Sequence, residues 1–579
     1  MRTLDWIVLV ATTLLIVIYG IWKSRGSKNI EAYLMGNRQM KWWTIGLSIM
    51  ATQASAITFL STPGQAFDDG MRFVQFYFGL PIAMVLIAIF AIPIYRRLKV
   101  YTAYEYLEQR FDLKTRSLGA LLFLVSRGLA AGMTIYAPAI IMAVILGWSI
   151  NLTCIAIGTV VIIYTVSGGT RAVSYTQQQQ MVVILAGMFI AAAVMIWKFP
   201  PDISFMDSLH IAGKMGKLNP ITVPESLEAF DPKDRYNLFS GLIGGTFLAL
   251  AYFGTDQSQV QRYLGGKSVA ESRIGLLLNG MIKVPMQFLI LFVGILMFVF
   301  YQFETPPLFF NEVETQNILQ SDKGNEYRAM QEQFNEVHSN KQLALRNMLT
   351  AIEGGNEDQV EELQKRVISL DTTARGIRTR SIALMEENNA AVDKNDLDQV
   401  FLSFVMNHLP VGLVGLLIAV ILAAAMSSTA AELNALATCT LIDVYKRRDQ
   451  QLQLDRSETH YLNASRVFTF AWGIFAILFS LFADQLGNMI QAVNIIGSLF
   501  YGTILGMFVV GFFTKVIGGT ATFWGAVLAE LLVVSLWILP QWYPDSLSIL
   551  DIGFLWFNLI GCLAVMLFAI LFHVFLGRK

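Results

Sequence analysis

The chain has 579 residues, of which 55% are hydrophobic and only 15% charged, with 42 basic and 42 acidic side chains. A soluble domain carries roughly 25% charged residues, and a formal net charge of zero leaves no electrostatic footprint for nucleic acid. Cys154, Cys439 and Cys562 all fall in apolar runs, which argues against a disulfide framework and a zinc site.

A helix crossing the hydrocarbon core needs about 20 residues. Thirteen apolar runs of suitable length lie near 4–22, 43–67, 73–95, 118–146, 150–167, 173–197, 238–261, 274–302, 410–442, 465–484, 487–513, 517–539 and 550–576. The first follows only Arg2 and has no small-residue cleavage site after it, so a retained helix is expected rather than a signal peptide. The loops that alternation places on one side carry 23 positive charges, among them Arg38, Arg96, Arg116, Arg262, Lys446 and Lys515. Short loops on the other side carry Arg72 alone. The positive-inside rule then puts the N-terminus outside and the C-terminus in the cytoplasm. An extra or missing crossing would break this alternation.

Two longer segments fall on the outer side. Residues 198–236 are rich in Pro and Asp and predict a short surface helix. Residues 304–409 carry 18 acidic and 10 basic side chains. There Gly354 and Gly355 divide two charge-patterned helical stretches near 325–350 and 357–389, an expected soluble hairpin. A spacer or lid is the simpler role for it, and a docking surface the alternative.

Two runs are interrupted by small and polar residues: Ala51–Ser61 (ATQASAITFLS) and Gly244–Gln261 (GGTFLALAYFGTDQSQVQ). They are the second and seventh runs, five helices apart. Broken first helices in two five-helix halves are the sequence sign of an inverted-repeat secondary transporter, and the break frees carbonyls that can bind a cation. A second polar stretch, AAAMSSTAAELNALAT (Ala423–Thr438), places Ser427 and Ser428 in an apolar helix. Their hydroxyls could serve a hard cation or simply bond the preceding turn between packed helices.

The chain resembles the sodium/solute symporter family, the group of the sodium/glucose, sodium/iodide, multivitamin, proline and sialic acid cotransporters. The resemblance rests on SAITFLSTPG (Ser55–Gly64), IYAPA (Ile135–Ala139), GGTRAVSYTQ (Gly168–Gln177), YFGTDQSQVQRYLGGKS (Tyr252–Ser268) and the Ala423–Thr438 stretch, in the family order. It covers nearly all of the chain outside 304–409. It implies an all-α membrane protein with a LeuT-like 5+5 inverted repeat and about 13 transmembrane helices. The expected divisions are a leading helix and inner loop (1–40), a first repeat (41–197), an outer loop (198–236), a second repeat (237–513) holding the 304–409 insert, and two C-terminal helices (514–579).

The resemblance also implies a Na⁺ site formed by the carbonyls of Ala51, Ala54 and Ala424 and the hydroxyls of Ser427 and Ser428. Ala424 and Ser428 stand at i and i+4, on one helix face. Members with a second Na⁺ site have an aspartate where this chain has Gln177, and hydroxyls where it has Ala430 and Ala431. One Na⁺ per cycle is therefore expected. By family position, the solute candidates are Ser55, Thr58, Phe73, Tyr77, Lys283 and Gln491, with Tyr252 at the place of an aromatic gate. Tyr77 and Ala249 replace a glutamate and an asparagine of the sugar set, which leaves glucose specificity in doubt.

Two further charges lie inside runs, where an ionisable group is a functional candidate. Glu432 could hold a proton or pair with a cytoplasmic arginine, the second being the simpler role. Arg127 could meet an anionic solute or, as the favoured reading, snorkel toward the inner interface near Arg116. A Na⁺-coupled symporter in the plasma (inner) membrane is the leading expectation. The cargo would be a small solute, with sugar-like cargo ahead of an anion such as a sialic acid, a monocarboxylate or a vitamin, and the chain would act as a monomer. A non-transporting sensor is the alternative class. No HExxH, triad or phosphate loop supports an enzyme.

Overall fold

The computed structural model describes the chain except residues 1, 25–28, 225–230, 390–391, 393, 484–488, 544–545, 548–549 and 577–579. Arg25, Lys28, Arg578 and Lys579, counted above among the loop charges, lie outside the described residues, as do the side chains of Lys23 and Arg171. Among the described residues every regular element is helical.

The leading helix α1 (Thr3–Ser24) is followed by the short α2 (Ile30–Met35). The second crossing is split into α3 (Trp42–Gln53) and α4 (Ala56–Asp69). A 3-10 stretch, Gly70–Tyr77, leads into the third crossing, α5 (Leu80–Ile89) and α6 (Ala91–Leu98). The short α7 (Ala103–Arg110) precedes the fourth, α8 (Leu113–Leu146). The fifth and sixth crossings are joined end to end in α9 (Ile150–Trp197), where Gly169 (φ +58°) turns the chain. Only glycine adopts that conformation cheaply, and a Cβ there would meet the Tyr33 ring at 2.7 Å.

The seventh crossing is the second split helix, α11 (Gly245–Gly254) and α12 (Gln257–Leu264), after the surface helix α10 (Phe205–Lys214). Helix α13 (Val269–Phe303) is the eighth. The insert follows as α14 (Glu312–Leu319), α15 (Gly324–Glu353), α16 (Glu357–Asn388) and α17 (Leu397–His408). The ninth crossing, α18 (Leu413–Cys439), runs through a π-turn into α19 (Lys446–Gln451). Helices α20 (Glu458–Ser480), α21 (Met489–Phe513), α22 (Gly519–Trp542) and α23 (Leu555–Leu576) complete the bundle. Among the described residues nine helices are long and apolar enough to cross a membrane, and with the shorter apolar helices Thr3–Ile16, Ile150–Ile163 and Ser240–Gly254 and the two breaks they match the all-helical inverted-repeat architecture expected from the sequence.

The outer helices carry their apolar faces outward. Leu14, Leu15, Ile163, Phe189, Phe475, Leu531 and Leu567 are all exposed. In water such a surface would aggregate, whereas in lipid it is the favourable face. Exposed tryptophans mark both interfaces: Trp42 and Trp43 on the side of the basic loops, Trp148, Trp197 and Trp542 on the other. The chain is a multi-pass membrane protein.

The insert is an antiparallel hairpin of α15 and α16 with its own apolar seam, including Tyr327, Phe334, Ile377 and Leu384. The expected limits agree with the observed helices within a few residues, and Gly355 (φ +67°) makes the turn. The hairpin does not stand free. Arg346 Nε meets Asp202 at 2.7 Å, and Gln364 Nε2 donates to the Lys214 carbonyl at 2.7 Å. It is thereby fastened to α10.

Candidate functional site

Both breaks open toward the middle of the bundle, where α18 passes between α3, α8 and α9. At the first break Ala54 leaves helical geometry (φ −83°, ψ 75°) and Ser55 is extended, so α3 ends and α4 begins without a continuous hydrogen-bond ladder. The C-terminal end of α3 presents carbonyls and partial negative charge, and the N-terminal end of α4 presents N–H groups and partial positive charge.

Helix α18 faces the carbonyl end. Ser427 Oγ lies 2.9 Å from the Ala51 carbonyl oxygen and 2.8 Å from that of Ala424. Ser428 Oγ lies 3.1 Å from the same Ala424 oxygen. Ala51, Ala54, Ala424, Ser427 and Ser428 are all buried. Ser427 and Ser428 thus bond carbonyls of the preceding turn, as the simpler reading expects, and in doing so bring the oxygens of Ala51 and Ala424 together with two hydroxyls, the ligand type a hard cation prefers. No hydrogen bond among the described residues joins the Ala54 carbonyl to this cluster.

Gln177 sits directly against this cluster. Its Nε2 donates to the Ser427 carbonyl and to Thr52 Oγ1, both at 3.0 Å, and its Oε1 accepts from Ser48 Oγ. An N–H donor thus occupies the Ser427 carbonyl and the Thr52 hydroxyl. The buried guanidinium of Arg262, 3.4 Å from Ser174 Oγ, adds positive charge nearby.

On the other side of the break lies a cavity of about 120 Å³. Of the solute candidates, Ser55, Thr58, Tyr77 and Tyr252 line it, together with Gln53, Phe76, Leu248, Asn494 and Tyr501. Three others do not. Phe73 is buried behind it, stacked on Phe76 at 5.7 Å and edge-on to Tyr236 at 4.9 Å. Gln491 is hydrogen-bonded to Arg235 from the outer loop. Lys283 lies behind Tyr77, its Nζ 5.5 Å from the ring centre and without a hydrogen-bond partner among the described residues.

The intramembrane charges meet. Arg127 does not snorkel: it is 4% exposed, lines the cavity and bonds Glu432 through Nη1 at 3.0 Å and Asp256 through Nε at 3.1 Å. Glu432 therefore pairs with an arginine inside the bundle, not with a cytoplasmic one. Its second oxygen lies 3.0 Å from Thr134 Oγ1. Asp256 caps α12 and was not singled out from the sequence. The signal was present, because it is a carboxylate at the second break. Thr134, Thr429 and Tyr501 had no such signal.

Toward the basic face the route out of the cavity is packed. Every residue of α12 is buried. Helix α7 is pinned to the second break by Gln257, whose Oε1 accepts from Ala103 N at 3.0 Å, and by Tyr104, which donates to the Thr255 carbonyl at 3.0 Å. Beneath it, Arg116 bonds Asp443 at 2.8 Å and Glu108 at 2.6 Å, and Arg447 joins Glu108 at 2.7 Å.

Comparison with known proteins identifies the family. A sequence model of the Sodium:solute symporter family matches residues 33–327 and 366–529, most of the chain. The chain belongs to the sodium:solute symporter family. The unmatched residues between lie in the hairpin. The human sodium/iodide cotransporter is 32% identical over 278 residues, 48% of this chain and 42% of that protein. Human sodium-coupled monocarboxylate transporter 1 is 32% identical over 264 residues, 45% of this chain and 42% of that protein. The chain spans less than half the length of these curated relatives. A Na⁺-coupled sialic acid symporter, solved in a substrate-bound outward-open state, superposes with a TM-score of 0.73 over 99% of this chain and 98% of its own, at 21% identity. That likeness concerns the fold.

Proposed function

We propose that the protein is a Na⁺-coupled symporter that carries one small solute with one Na⁺ by alternating access. The observation that carries this reading is the oxygen cluster of Ala51, Ala424, Ser427 and Ser428 across the break from the cavity. Ion and solute would sit on the two ends of one broken helix, so each stabilises the geometry that the other needs. The packed α12 side and the cavity are the two gates that such a cycle must open in turn.

A small monoanion is the favoured cargo. Lys283 and Gln491, which by family resemblance stand at positions that contact sugar in the glucose-type members, do not line the cavity, whereas Arg127 does. Relatives named for iodide and monocarboxylates agree with this reading. The loop charges support a plasma-membrane orientation with the N-terminus and hairpin outside.

The test is a thermal-shift screen of the purified protein against lactate, nicotinate, iodide, sialic acid and hexoses, in Na⁺ and in K⁺. A monoanion that stabilises only in Na⁺ is expected. Equal stabilisation by Na⁺ and K⁺, or a sugar as the Na⁺-dependent ligand, overturns the ion or the cargo assignment respectively.

A further inference from the structure

The Arg127 guanidinium is shared between two carboxylates. Nε and Nη2 converge on Oδ2 of Asp256, and Nη2 also meets the Tyr501 hydroxyl. Asp256 is itself immobilised. Its Oδ1 accepts from Ser258 N at 2.8 Å and Ser258 Oγ at 2.6 Å, and Tyr501 donates to its Oδ2 at 2.9 Å. The Tyr252 ring supports the cation from 5.2 Å. The remaining nitrogen, Nη1, bonds Oε1 of Glu432. Arg127 and Glu432 line the cavity, and Asp256 is not among its lining residues.

Asp256 alone already neutralises Arg127. Glu432 is a second carboxylate on the same cation, repelled by the first in a medium of low dielectric. It bonds Nη1, the guanidinium nitrogen that Asp256 and Tyr501 leave free, and like Arg127 it lines the cavity.

Resting on the symport reading above, we propose that Nη1 of Arg127 is the docking point for the anionic group of the solute, and that Glu432 is a tethered competitor which the solute displaces. A neutral solute has nothing with which to break the pair, so Glu432 acts as a filter for charge. The same device links ion to solute. Glu432 follows Ser428 by four residues on α18, one turn from the oxygen cluster. A cation held there attracts the carboxylate away from Arg127 and frees Nη1. Na⁺ binding therefore precedes and strengthens anion binding. Thr134 Oγ1, already 3.0 Å from Oε2 and itself bonded by Thr429, keeps a hydrogen-bond partner for the released carboxylate.

The test uses the full-length purified protein, with lactate, nicotinate and iodide as anions and lactamide and nicotinamide as neutral counterparts. Affinities are read by scintillation proximity or thermal shift at several Na⁺ concentrations, for the natural protein, E432Q and E432D. E432Q removes the competitor while keeping shape. At least one anion is expected to bind ten-fold or more tighter to E432Q, with a weaker Na⁺ dependence, while the amides show no comparable gain and Na⁺ alone still stabilises the variant, at a higher Na⁺ concentration than the natural protein needs. E432D, which retracts the carboxylate, should gain part of that affinity, and it carries the test if E432Q does not fold. Weaker anion binding in both variants would make Glu432 a scaffold for Arg127. Complete loss of stabilisation by Na⁺ alone in both variants would make it a cation ligand. Either result overturns the proposal, as does an absence of any gain across the panel. If Na⁺ alone still stabilises the natural protein in those cases, the symport reading stands without this inference.

Discussion

The amide nitrogen of Gln177 donates to the carbonyl oxygen of Ser427 at 3.0 Å, across 250 residues of sequence. This contact satisfies the Ser427 carbonyl, and we propose that it closes this side of the turn to a second ion. The opposite face of the same turn, Ser427 Oγ with the carbonyls of Ala51 and Ala424, stays an all-oxygen cluster. On the proposed reading, one helix turn has one cation-accepting side and one closed side.

The first prediction follows from that asymmetry. Proteoliposomes given ²²Na⁺ and labelled solute should show one Na⁺ per solute. With a monoanion as cargo the cycle would then be electroneutral, so a voltage step should leave the uptake rate unchanged. A flux ratio of two would place a second cation site on the Gln177 side.

Ser428→Ala removes one oxygen from the cluster without touching the Ser427–Ala51 link. Hydrogen bonds and ligand contacts to a charged group contribute about 1.5–3 kcal/mol, so Na⁺ affinity should fall by roughly ten-fold to a hundred-fold. Ser427→Ala should be worse, because its hydroxyl also joins α18 to α3. The measurement is the Na⁺ concentration for half-maximal stabilisation. An unchanged value in Ser428→Ala would move the site elsewhere.

Much of this was legible before any coordinates. Run length and sparse charge give the crossings, because hydrocarbon enforces both. The breaks at Ala54–Ser55 and Thr255–Asp256 announce themselves through small and polar residues in otherwise apolar runs. What a run does not encode is which side chain meets which across helices. Arg127 and Glu432 are 305 positions apart, and nothing local to either distinguishes a snorkelling arginine from a caged one. Gln491 shows the same limit: its partner Arg235 comes from an outer loop with no periodic pattern. Lys283 is read correctly as deep in a helix, yet its register on α13 puts it behind Tyr77, not in front of it.

The cavity wall also depends on a close approach that a single methyl would prevent. Gly79 faces α11, and a Cβ there would fall 2.2 Å from the Thr246 amide nitrogen. Backbone cannot yield as a side chain can, and overpacking typically costs about 1–3 kcal/mol. Gly79→Ala should lower the apparent Tm and reduce uptake, whereas Gly376→Ala, in open space on α16, should change neither. Equal behaviour of the two variants would mean that the α5–α11 contact is looser than its geometry indicates.

The hairpin contains a pH-sensitive residue outside the membrane. His338 is buried in the α15–α16 seam, stacked on Phe334 at 6.2 Å, with the Lys341–Asp371 pair nearby at 3.0 Å. Burial, reinforced by the Lys341 charge, pushes its pKa from 6.5 down to about 4. An unfolded hairpin would take up a proton near pH 6.5, and the folded one only near pH 4, so the unfolded state binds more protons between these values. Stability of the hairpin is therefore complete above pH 6.5 and declines as pH falls toward 4, by about 3 kcal/mol in total. Asp396, whose carboxyl burial pushes up, acts in the opposite direction. The check is limited proteolysis of the 324–388 segment at pH 7.5, 6 and 5. Cleavage should rise at the lower pH values in the natural protein and stay level in His338→Leu, which keeps the apolar seam and has nothing to protonate. Parallel rises in both would assign the acid sensitivity to the carboxylates instead.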